Sequence, residues 1–302
     1  MTNKLLHFLY RKIPFKKRYV IFVKKIFSNY YEPGFIPEGF FKIKDTISGK
    51  SINMFIRKDS MIERQIFWDG LYGKWEKESL KIWAALCPEA NTILDIGANT
   101  GIFSLIAKAN NEQAQVYAIE PIDINFDVLT KNMQKNKFTI HAIQAALSNI
   151  SGTAKMYMIK DRLNYMTSIN DNRYLIHPQT PDASDVIEIE VPTITFRDIE
   201  VKYALPKIDL VKIDVEGHEI PVLENMYQRI KKDRPIILVE VIGDENAVAL
   251  NNMFKPLGYK FISIDEEIKS HVVDTLWDNH HHNFLLCDEN VIKALQLKGL
   301  VS

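Results

Sequence analysis

The sequence predicts an α/β fold, a doubly wound sheet of mostly parallel strands with helices on both faces. Short apolar strands alternate with helices between residues 92 and 147 and again between 208 and 242, and strands that are separated by helices pair in parallel. The 302 residues are 46% hydrophobic and 25% charged, a composition typical of a globular protein with a sizeable core.

The individual elements are predicted from the periodicity of the apolar residues. The first half of the sheet comes from strands at 92–97, 116–120 and 140–147 and helices at 102–109 and 125–135. The second half comes from strands at 208–215 and 236–242 and a helix at 220–230. Residues 260–265 and 283–288 are predicted as strands without a helix between them. They indicate an antiparallel C-terminal hairpin that closes one edge of the sheet.

Two further regions are appended to this sheet. Residues 1–70 are predicted to form an N-terminal unit, with a basic helical extension over 4–30 and a small β preface over 33–60. Residues 71–302 form the main domain, which begins with a helix over 75–87 and carries an insertion at 151–200 with strand-like runs at 153–159 and 186–191. Ligands of open α/β sheets lie beyond the carboxyl ends of the strands, so we expect this insertion to cover the ligand site.

Charge is unevenly distributed along the chain. The formal net charge of +0 gives no electrostatic reason to expect a nucleic acid partner. Residues 1–31 hold eight Lys and Arg and no Asp or Glu, which leaves 30 of the 38 basic residues against all 38 acidic residues elsewhere. An apolar stripe at helical spacing runs through the same region, at Tyr19, Phe22, Val23, Ile26 and Phe27. It predicts a helix that either contacts an anionic membrane surface or packs on the fold or on a second subunit.

The compartment is predicted from the cysteines and from the absence of long apolar runs. Cys87 and Cys287 lie in apolar contexts far apart in sequence, which favours two core thiols in a reducing compartment. No apolar run approaches the ~18 residues of a membrane span, and charges interrupt every apolar stretch near the N-terminus, unlike in a signal peptide. We therefore expect a cytoplasmic protein, at the inner face of the membrane if the N-terminal helix binds lipid.

The first predicted strand ends in a turn that contains glycines, Asp95-Ile-Gly97-Ala-Asn99-Thr-Gly101, and a helix follows at once. Glycines at such a turn let the backbone approach a ligand and let the helix pack closely on the sheet. Asn99 stands where a dinucleotide-binding turn has its middle glycine, and its side chain would obstruct a pyrophosphate. S-adenosylmethionine has no phosphate, so this obstruction does not matter for its binding. We expect Asp95 to hold the loop amides or the cofactor amino group, and Asn99 to orient the loop or the methionine end.

A second carboxylate follows the next predicted strand. Glu120 lies 23 residues after Gly97, where a carboxylate can accept hydrogen bonds from both ribose hydroxyls. The alternative is that Asp95 and Glu120 are strand-end carboxylates that only cap helices. Their occurrence together at these places of one βαβ unit favours a cofactor site.

The run DLVKIDVEGHE at residues 209–219 contains a second group of polar residues. Asp214 is expected at the carboxyl end of a buried strand, facing the site. Methyl transfer requires that donor and acceptor are aligned and that a proton is removed. His218 is the predicted base, with Asp214 or Glu216 orienting it. In the alternative interpretation the two carboxylates cap the turn and His218 is structural.

No metal centre is predicted. Asp214 and Glu240 end adjacent strands and could share a divalent cation that acidifies an acceptor hydroxyl, but two ligands alone do not define such a site. His280, His281 and His282 are adjacent in a loop, so they cannot all point at one ion. A loop that faces solvent or substrate is the better interpretation.

Together these segments resemble the FkbM family of class I methyltransferases, which have a Rossmann-like sheet. The matching segments are 93–104 (ILDIGANTGIFS), 119–121 (IEP), 146–148 (ALS), 194–198 and 209–219, with weaker matches at 238–240 and at 73–76, which ends in Glu76. The resemblance covers roughly residues 70–290 and leaves 1–60 unassigned. It implies S-adenosylmethionine as cofactor, with Glu76 among the residues that bind it, and most often a hydroxyl acceptor on a sugar or polyketide. One departure is Phe196-Arg197-Asp198, where the family commonly has leucine followed by two acids.

The favoured function is O-methylation of a sugar hydroxyl on a glycan or glycolipid. An NAD(P)-dependent oxidoreductase shares the βαβ unit and Glu120, but Asn99 and the closing hairpin argue against it. A catalytically silent cofactor-binding module is the third possibility, which the presence of Asp95, Glu120 and Asp214 disfavours. Amino methylation of a nucleic acid is disfavoured too, because the chain lacks an Asn/Asp-Pro-Pro-aromatic motif that would grip a flipped base.

Overall fold

The computed structural model describes residues 38–57, 60–159, 186–278 and 283–302. The predicted basic helix at the N-terminus and the three adjacent histidines, His280, His281 and His282, lie outside the described residues. Within the described ranges, no helix is long and apolar enough to span a membrane.

The centre of the fold is an eight-stranded sheet. Its strands are β3 (Thr92–Ile96), β4 (Gln115–Ile119), β5 (His141–Ile143), β9 (Leu210–Ile213), β10 (Ile236–Glu240), β11 (Lys260–Ser263), β12 (His271–Val273) and β13 (Asn283–Cys287), in the spatial order β12-β11-β13-β10-β9-β3-β4-β5. The five strands from β10 to β5 are parallel, which confirms the predicted α/β architecture. The order reverses between β3 and β9, where α/β proteins bind their ligands.

Helices cover both faces of this sheet. They are α1 (Ile62–Asp69), α2 (Lys77–Leu86), α3 (Ile102–Asn110), α4 (Asp123–Asn136), α5 (Phe196–Tyr203), α6 (Glu219–Asp233), α7 (Asp244–Phe254) and α8 (Glu289–Leu297). Successive strand residues belong to different apolar clusters, since Ile93 packs with α1 to α4 and α8, whereas Leu94 packs with α5 to α7. This alternation is the period-two pattern of a strand that is buried on both faces.

The β preface lies against the first of these faces. Its strands β1 (Gly39–Lys44) and β2 (Ser51–Ile56) form an antiparallel hairpin, and Ile52 and Met54 are buried in the same cluster as Ile93. The edge of β2 is held by α4, because Phe55 N–H donates to Asn132 Oδ1 at 2.7 Å. The preface is therefore held by hydrogen bonding to α4, one of the helices that cover the central sheet.

The predicted strand at 140–147 is divided between two sheets. Residues 141–143 form β5 at the edge of the large sheet, whereas Ala146–Leu147 form β6 in a three-stranded sheet with β7 (Gly152–Ile159) and β8 (Val186–Ile194). The chain bends between them, where Ala145 N–H donates to Ile143 O at 3.2 Å. The insertion therefore starts at the carboxyl end of β5, beside the expected ligand site.

The C-terminal edge is more elaborate than a hairpin of two strands. The segments predicted at 260–265 and 283–288 do pair antiparallel as β11 and β13, and β13 lies between β11 and β10. An unpredicted strand, β12, lies between them in the chain and pairs with β11 as the outermost strand. The helices α1, α5, α7 and α8 were also not predicted from the sequence.

Candidate active site

A cavity of about 300 Å³ opens at the carboxyl ends of β3, β4, β9 and β10, within the size range of pockets for small molecules. Its polar and charged lining residues are Gln65, Glu76, Asn99, Glu120, Asn125, Lys212, Asp214, Glu216, His218 and Glu240. Apolar side chains surround them, and Met156 comes from the insertion. The cavity thus gathers groups from both halves of the sheet and from the segment before it.

Gly97 and Gly101, the two glycines of the turn after β3, let this turn pack closely beside the cavity. Gly97 has φ +77°, and a Cβ atom there would lie 1.7 Å from the backbone oxygen of Asp214. Gly101 has φ +89°, and a Cβ atom there would lie 2.4 Å from Leu129 of α4. The loop after β3 therefore packs directly against the loop after β9 and against α4. A side chain at position 97 would collide with the backbone of Asp214, and one at position 101 would require Leu129 to move.

Glu120, which directly follows β4, holds the loop after β3 through a hydrogen bond. Its Oε2 accepts a hydrogen bond from Asn99 N–H at 2.8 Å, and its Oε1 accepts one from Ile122 N–H at 2.9 Å. Burial raises the pKa of Glu120 to about 7, although these amides and the side chain of Asn125 partly offset the shift. Each carboxylate oxygen has a second lone pair, so Glu120 can accept further hydrogen bonds from a ligand in the cavity.

Asn99 and Asn125 present unpaired oxygen atoms in the cavity wall. Asn99 adopts a left-handed backbone conformation at φ +50°, and its side-chain Oδ1 is buried without a hydrogen-bond partner. Asn125 is 4% exposed, and its Oδ1 also lacks a partner. Buried polar atoms are normally paired, so both oxygens are candidate acceptors for donors of a bound ligand.

A buried lysine lies on the floor of the site. Lys212 Nζ donates to Asp214 Oδ2 at 2.8 Å and to Gly97 O at 3.2 Å, and it lies 4.9 Å from the centre of the Phe103 ring. Burial alone would lower the pKa of Lys212, but the carboxylates of Asp214, Asp95 and Glu76 outweigh it and raise the pKa. Lys212 is therefore a permanent cation at the junction of the two loops.

Asp95 lies behind this junction rather than in the cavity wall. It is fully buried and accepts a hydrogen bond from Ser104 Oγ at 2.6 Å. Burial raises its pKa, and the nearby Lys212 ammonium partly offsets this shift. Since Asp95 does not line the cavity, its contacts in the structure are with the start of α3 and the charge of Lys212.

Three further carboxylates line the cavity. Burial raises the pKa of Glu76 and of Glu216 to about 8, and the negative charge of Asp214 adds to both shifts. Burial and the same neighbour also raise the pKa of Glu240 well above its usual value. Among the described lining residues Lys212 is the only Lys or Arg. The cavity therefore has an excess of acidic groups, which favours a ligand with positive charge.

His218 is nine-tenths buried and pairs with Ser148, which directly follows β6. Its Nε2 lies 3.2 Å from Ser148 Oγ, whereas its Nδ1 is buried without a partner. Burial lowers the pKa of His218 from 6.5, which keeps the imidazole neutral at pH 7. Asp214 bonds to Lys212, so the group that orients His218 in the structure is Ser148, and not Asp214 or Glu216 as the sequence predicted.

Two carboxylates outside the prediction hold the backbone of the site. Glu219 Oε1 accepts hydrogen bonds from Val215 N–H at 3.2 Å and Gly217 N–H at 3.1 Å, which fixes the turn that carries Glu216 at φ +54°. Glu266 accepts three hydrogen bonds from the first turn of α2, which fixes the adjacent Glu76 at φ +40°. Non-glycine residues rarely adopt positive φ, and such conformations cluster at functional sites.

Asp214 and Glu240 both line the cavity, as the metal alternative requires. In the part of the chain that the structure describes, however, no three His, Cys, Asp or Glu side chains come together in a group that could hold a metal ion. The acidic groups are instead arranged around the ammonium of Lys212.

Comparison with known protein families identifies this arrangement. The model of the methyltransferase FkbM domain matches residues 95–274, which include both loops of the site. The chain belongs to the FkbM methyltransferase family. This confirms the resemblance that the sequence motifs indicated.

Curated relatives of this FkbM methyltransferase are distant. The methyltransferase sdnD of Sordaria araneosa is 27% identical over 185 residues, which cover 55% of this chain and 68% of the relative. The hexuronic acid methyltransferase AglP of Haloferax volcanii is 25% identical over 166 residues, covering 55% of this chain and 62% of the relative. The 31-O-demethyl-FK506 methyltransferase FkbM of Streptomyces tacrolimicus is 27% identical over a match that covers 53% of this chain and 65% of the relative. The match thus spans about two thirds of each relative.

Among solved structures, a methyltransferase FkbM from Methylobacillus flagellatus KT aligns with a TM-score of 0.42 and 14% sequence identity. The alignment covers 66% of this chain and 44% of that protein.

The structure of this FkbM methyltransferase brings most of the predicted site residues together. Those that line the cavity are Glu76, Gly97, Asn99, Glu120, Asp214, Glu216 and His218, whereas Asp95 and Gly101 lie behind it. The sequence motifs did not indicate a role for Lys212, Asn125 or Ser148. A lysine within an otherwise apolar strand was a readable signal for Lys212, because lysine is almost never fully buried unless it is paired.

Proposed function

We propose that this FkbM methyltransferase transfers a methyl group from S-adenosylmethionine to a sugar hydroxyl of a glycan or glycolipid. The observation that carries the cofactor assignment is the acidic cavity beside the turn at Gly97. A sulfonium or ammonium group placed there would favour ionisation of Glu76 and Glu216 and would be attracted to their carboxylates, whereas a pyrophosphate would oppose this ionisation. The same charge distribution disfavours an NAD(P)-dependent oxidoreductase.

The residues present fit this cofactor. Glu120 has free lone pairs for the two ribose hydroxyls, and Asn125 Oδ1 is a buried acceptor nearby that lacks a donor. The carboxylates around Lys212 suit the positively charged methionine end. When bound, the cofactor supplies an electrophilic methyl group on sulfur.

Residues of the chain itself supply the other requirements of methyl transfer. His218 is neutral and lines the cavity, so it can take the proton of an acceptor hydroxyl, with Ser148 fixing its ring orientation. Buried apolar residues, among them Ile96, Ile119 and Leu147, line the cavity, and a bound cofactor would displace water from beside them. Exclusion of water strengthens the electrostatic contacts and protects the proton transfer from competition.

The sugar acceptor is supported by one relative, the hexuronic acid methyltransferase AglP at 25% identity. The name of another relative, 31-O-demethyl-FK506 methyltransferase, indicates transfer to an oxygen. A hydroxyl acceptor agrees with a neutral imidazole base, because an alcohol must lose its proton during transfer.

Two experiments test this function. Calorimetric titration of the full chain with S-adenosylhomocysteine and separately with NAD tests the cofactor, and binding of NAD alone would favour the oxidoreductase. Incubation with labelled S-adenosylmethionine and cell-envelope extracts of the host tests the acceptor. We expect label in a saccharide fraction that is stable to protease. Label only in protein, or in a saccharide amine, would contradict the proposed acceptor.

A further inference from the structure

The cofactor loop of residues 97–101 is held at Thr100 from two sides. The Thr100 hydroxyl donates a hydrogen bond to Glu63 Oε1, and the Thr100 carbonyl accepts one from Asn132 Nδ2 at 2.9 Å. Thr100 and Glu63 are each 1% exposed. Both bonds therefore form away from water, where losing either one leaves a buried polar group without a partner.

Glu63 belongs to α1, which precedes the residues matched by the family domain. On the same segment Met61, Ile62 and Gln65 line the cavity. Burial raises the pKa of Glu63, and the hydrogen bond from Thr100 partly offsets this shift. A helix that only formed part of the cavity wall could pack through apolar residues alone. Burial of a carboxylate costs free energy of folding unless the group is hydrogen-bonded. Ser60 and Arg57 also stabilise the Glu63 carboxylate, and the hydrogen bond from Thr100 is the contact that gives Glu63 a role at the cofactor loop.

That role follows from the backbone on either side of Thr100. Asn99 and Gly101 both have positive φ, at +50° and +89°. The left-handed conformation of Asn99 is uncommon for residues with a side chain, although Asn adopts it more readily than most, and the surrounding contacts help to hold it. It is this conformation that presents Asn99 N–H to Glu120, at 2.8 Å.

We propose that Glu63 is a positioning residue for the cofactor site, which accepts the hydrogen bond of Thr100 and thereby fixes the loop 97–101 in its binding conformation. This rests on the proposed function, because the ligand that the loop positions is S-adenosylmethionine. It extends the functional site to a helix outside the matched family domain.

The test compares variants that remove the bond with variants that preserve it. Glu63→Met removes the acceptor and Thr100→Val removes the donor, and each should weaken binding of S-adenosylhomocysteine about tenfold or more. Glu63→Gln and Thr100→Ser keep an acceptor oxygen and a donor hydroxyl, so each should stay within about threefold of wild type. The double variant Glu63→Met, Thr100→Val should bind about as well as either single variant, because the two changes remove one interaction.

Asp45→Asn provides the matched control for a merely structural role. Asp45 is fully buried and accepts hydrogen bonds from Tyr72, Ser48 and Asn110, and none of these residues lines the cavity. The Asp45→Asn variant should lower the melting temperature, as we also expect for Glu63→Met, and it should leave the affinity for S-adenosylhomocysteine unchanged. If Glu63→Met does not fold, Thr100→Val provides the measurement, since it keeps the shape of the side chain.

Wild-type protein that binds no S-adenosylhomocysteine would overturn the proposed function together with this inference. Wild-type binding, with unchanged affinity in the folded Glu63→Met and Thr100→Val variants, would overturn the inference alone. A tenfold loss in Asp45→Asn would also overturn it, because the effect would then follow from general destabilisation.

Discussion

The ammonium of Lys212 lies 2.8 Å from the carboxylate of Asp214, and only 7% of the lysine side chain and 27% of the aspartate side chain are exposed. The same ammonium reaches the carbonyl oxygen of Gly97 at 3.2 Å. One cation therefore joins the loop after β3 to the loop after β9 at the point where the order of strands reverses. The other charged groups of the cavity wall, within the described residues, are acidic.

Replacing Lys212 with Met should leave this acidic cluster without its counter-charge. Removal of one partner of a buried ion pair costs about 3–5 kcal/mol of unfolding free energy. The loss should be smaller at about pH 5 than at about pH 8, because buried carboxylates that bind protons need no counter-charge. Urea unfolding followed by circular dichroism measures both values. Lys207→Met, which removes an exposed lysine paired with Asp209, is the control. If Lys212→Met lost the same unfolding free energy at both pH values, this would contradict the role of Lys212 as the counter-charge of the acidic cluster.

Replacing Glu120 with Ala should weaken binding of S-adenosylhomocysteine by about 1–3 kcal/mol, because two ribose hydroxyls lose their acceptor. Part of the loss comes through the loop, since Asn99 N–H and Ile122 N–H lose the same partner. Calorimetric titration gives the affinity. Glu112→Ala removes an exposed carboxylate that pairs with Lys50 and should not change it. Wild-type affinity in Glu120→Ala would exclude the ribose role.

Replacing His218 with Ala should lower turnover about 10²–10⁴-fold, while affinity for the cofactor stays near the wild-type value. Ser148→Ala should lower turnover less, since it frees the ring that Ser148 orients at 3.2 Å. In the wild type the rate should fall as pH drops through the pKa of His218, which burial lowers from 6.5, because the protonated ring cannot accept a proton. Near-normal turnover of His218→Ala would transfer the role of base to Asp214 or Glu216.

Cofactor binding should be linked to the protonation of Glu76 and Glu216. Their pKa is raised from 4.5 to about 8 by burial and by Asp214. The unfolded chain loses these protons at lower pH than the folded protein does. The unfolding free energy of the unliganded protein should therefore fall as pH rises from 4.5 to about 8.

A cationic ligand favours the ionised carboxylates and should release protons when it binds near pH 7. The affinity for S-adenosylmethionine should then rise with pH more steeply than that for S-adenosylhomocysteine, which lacks the sulfonium charge. Calorimetry in buffers with different ionisation enthalpies counts the released protons. Equal proton release for both ligands would show that the sulfonium charge does not change the protonation of these carboxylates.

If the helix predicted within residues 1–31 contacts an anionic membrane surface, the full chain should bind to vesicles that contain anionic lipid, with each Lys or Arg near the surface adding about 1 kcal/mol. A chain that starts at Glu32 should stay in the soluble fraction during flotation. Binding should weaken at high salt, because the attraction is screened. If both chains remain soluble at low salt, the helix packs on the fold or in an oligomer instead.

Much of the central sheet was predictable because its signals are local. The alternation of apolar strands and helices around Gly97 and Glu120 follows from periodicity and turn chemistry within short stretches of chain. The helix α7 was missed, since its sequence DENAVALNNMF mixes apolar and amide residues and gives a weak helical pattern. The strand predicted at 140–147 was divided because the small sheet with β7 and β8 captures Ala146 and Leu147, and periodicity cannot show which sheet a residue joins.

The site divides in the same way. The sequence by itself determined the family and the types of group that meet at the carboxyl ends of the strands, because these residues occur in contiguous motifs on single turns. Only the tertiary structure decided which groups pair. Ser148 reaches His218 across 70 residues of chain, and Thr100 reaches Glu63 across 37. Such pairs depend on how β6 and α1 pack against the loops of the sheet, and a hydrogen bond between distant residues leaves no periodic signal in a single sequence.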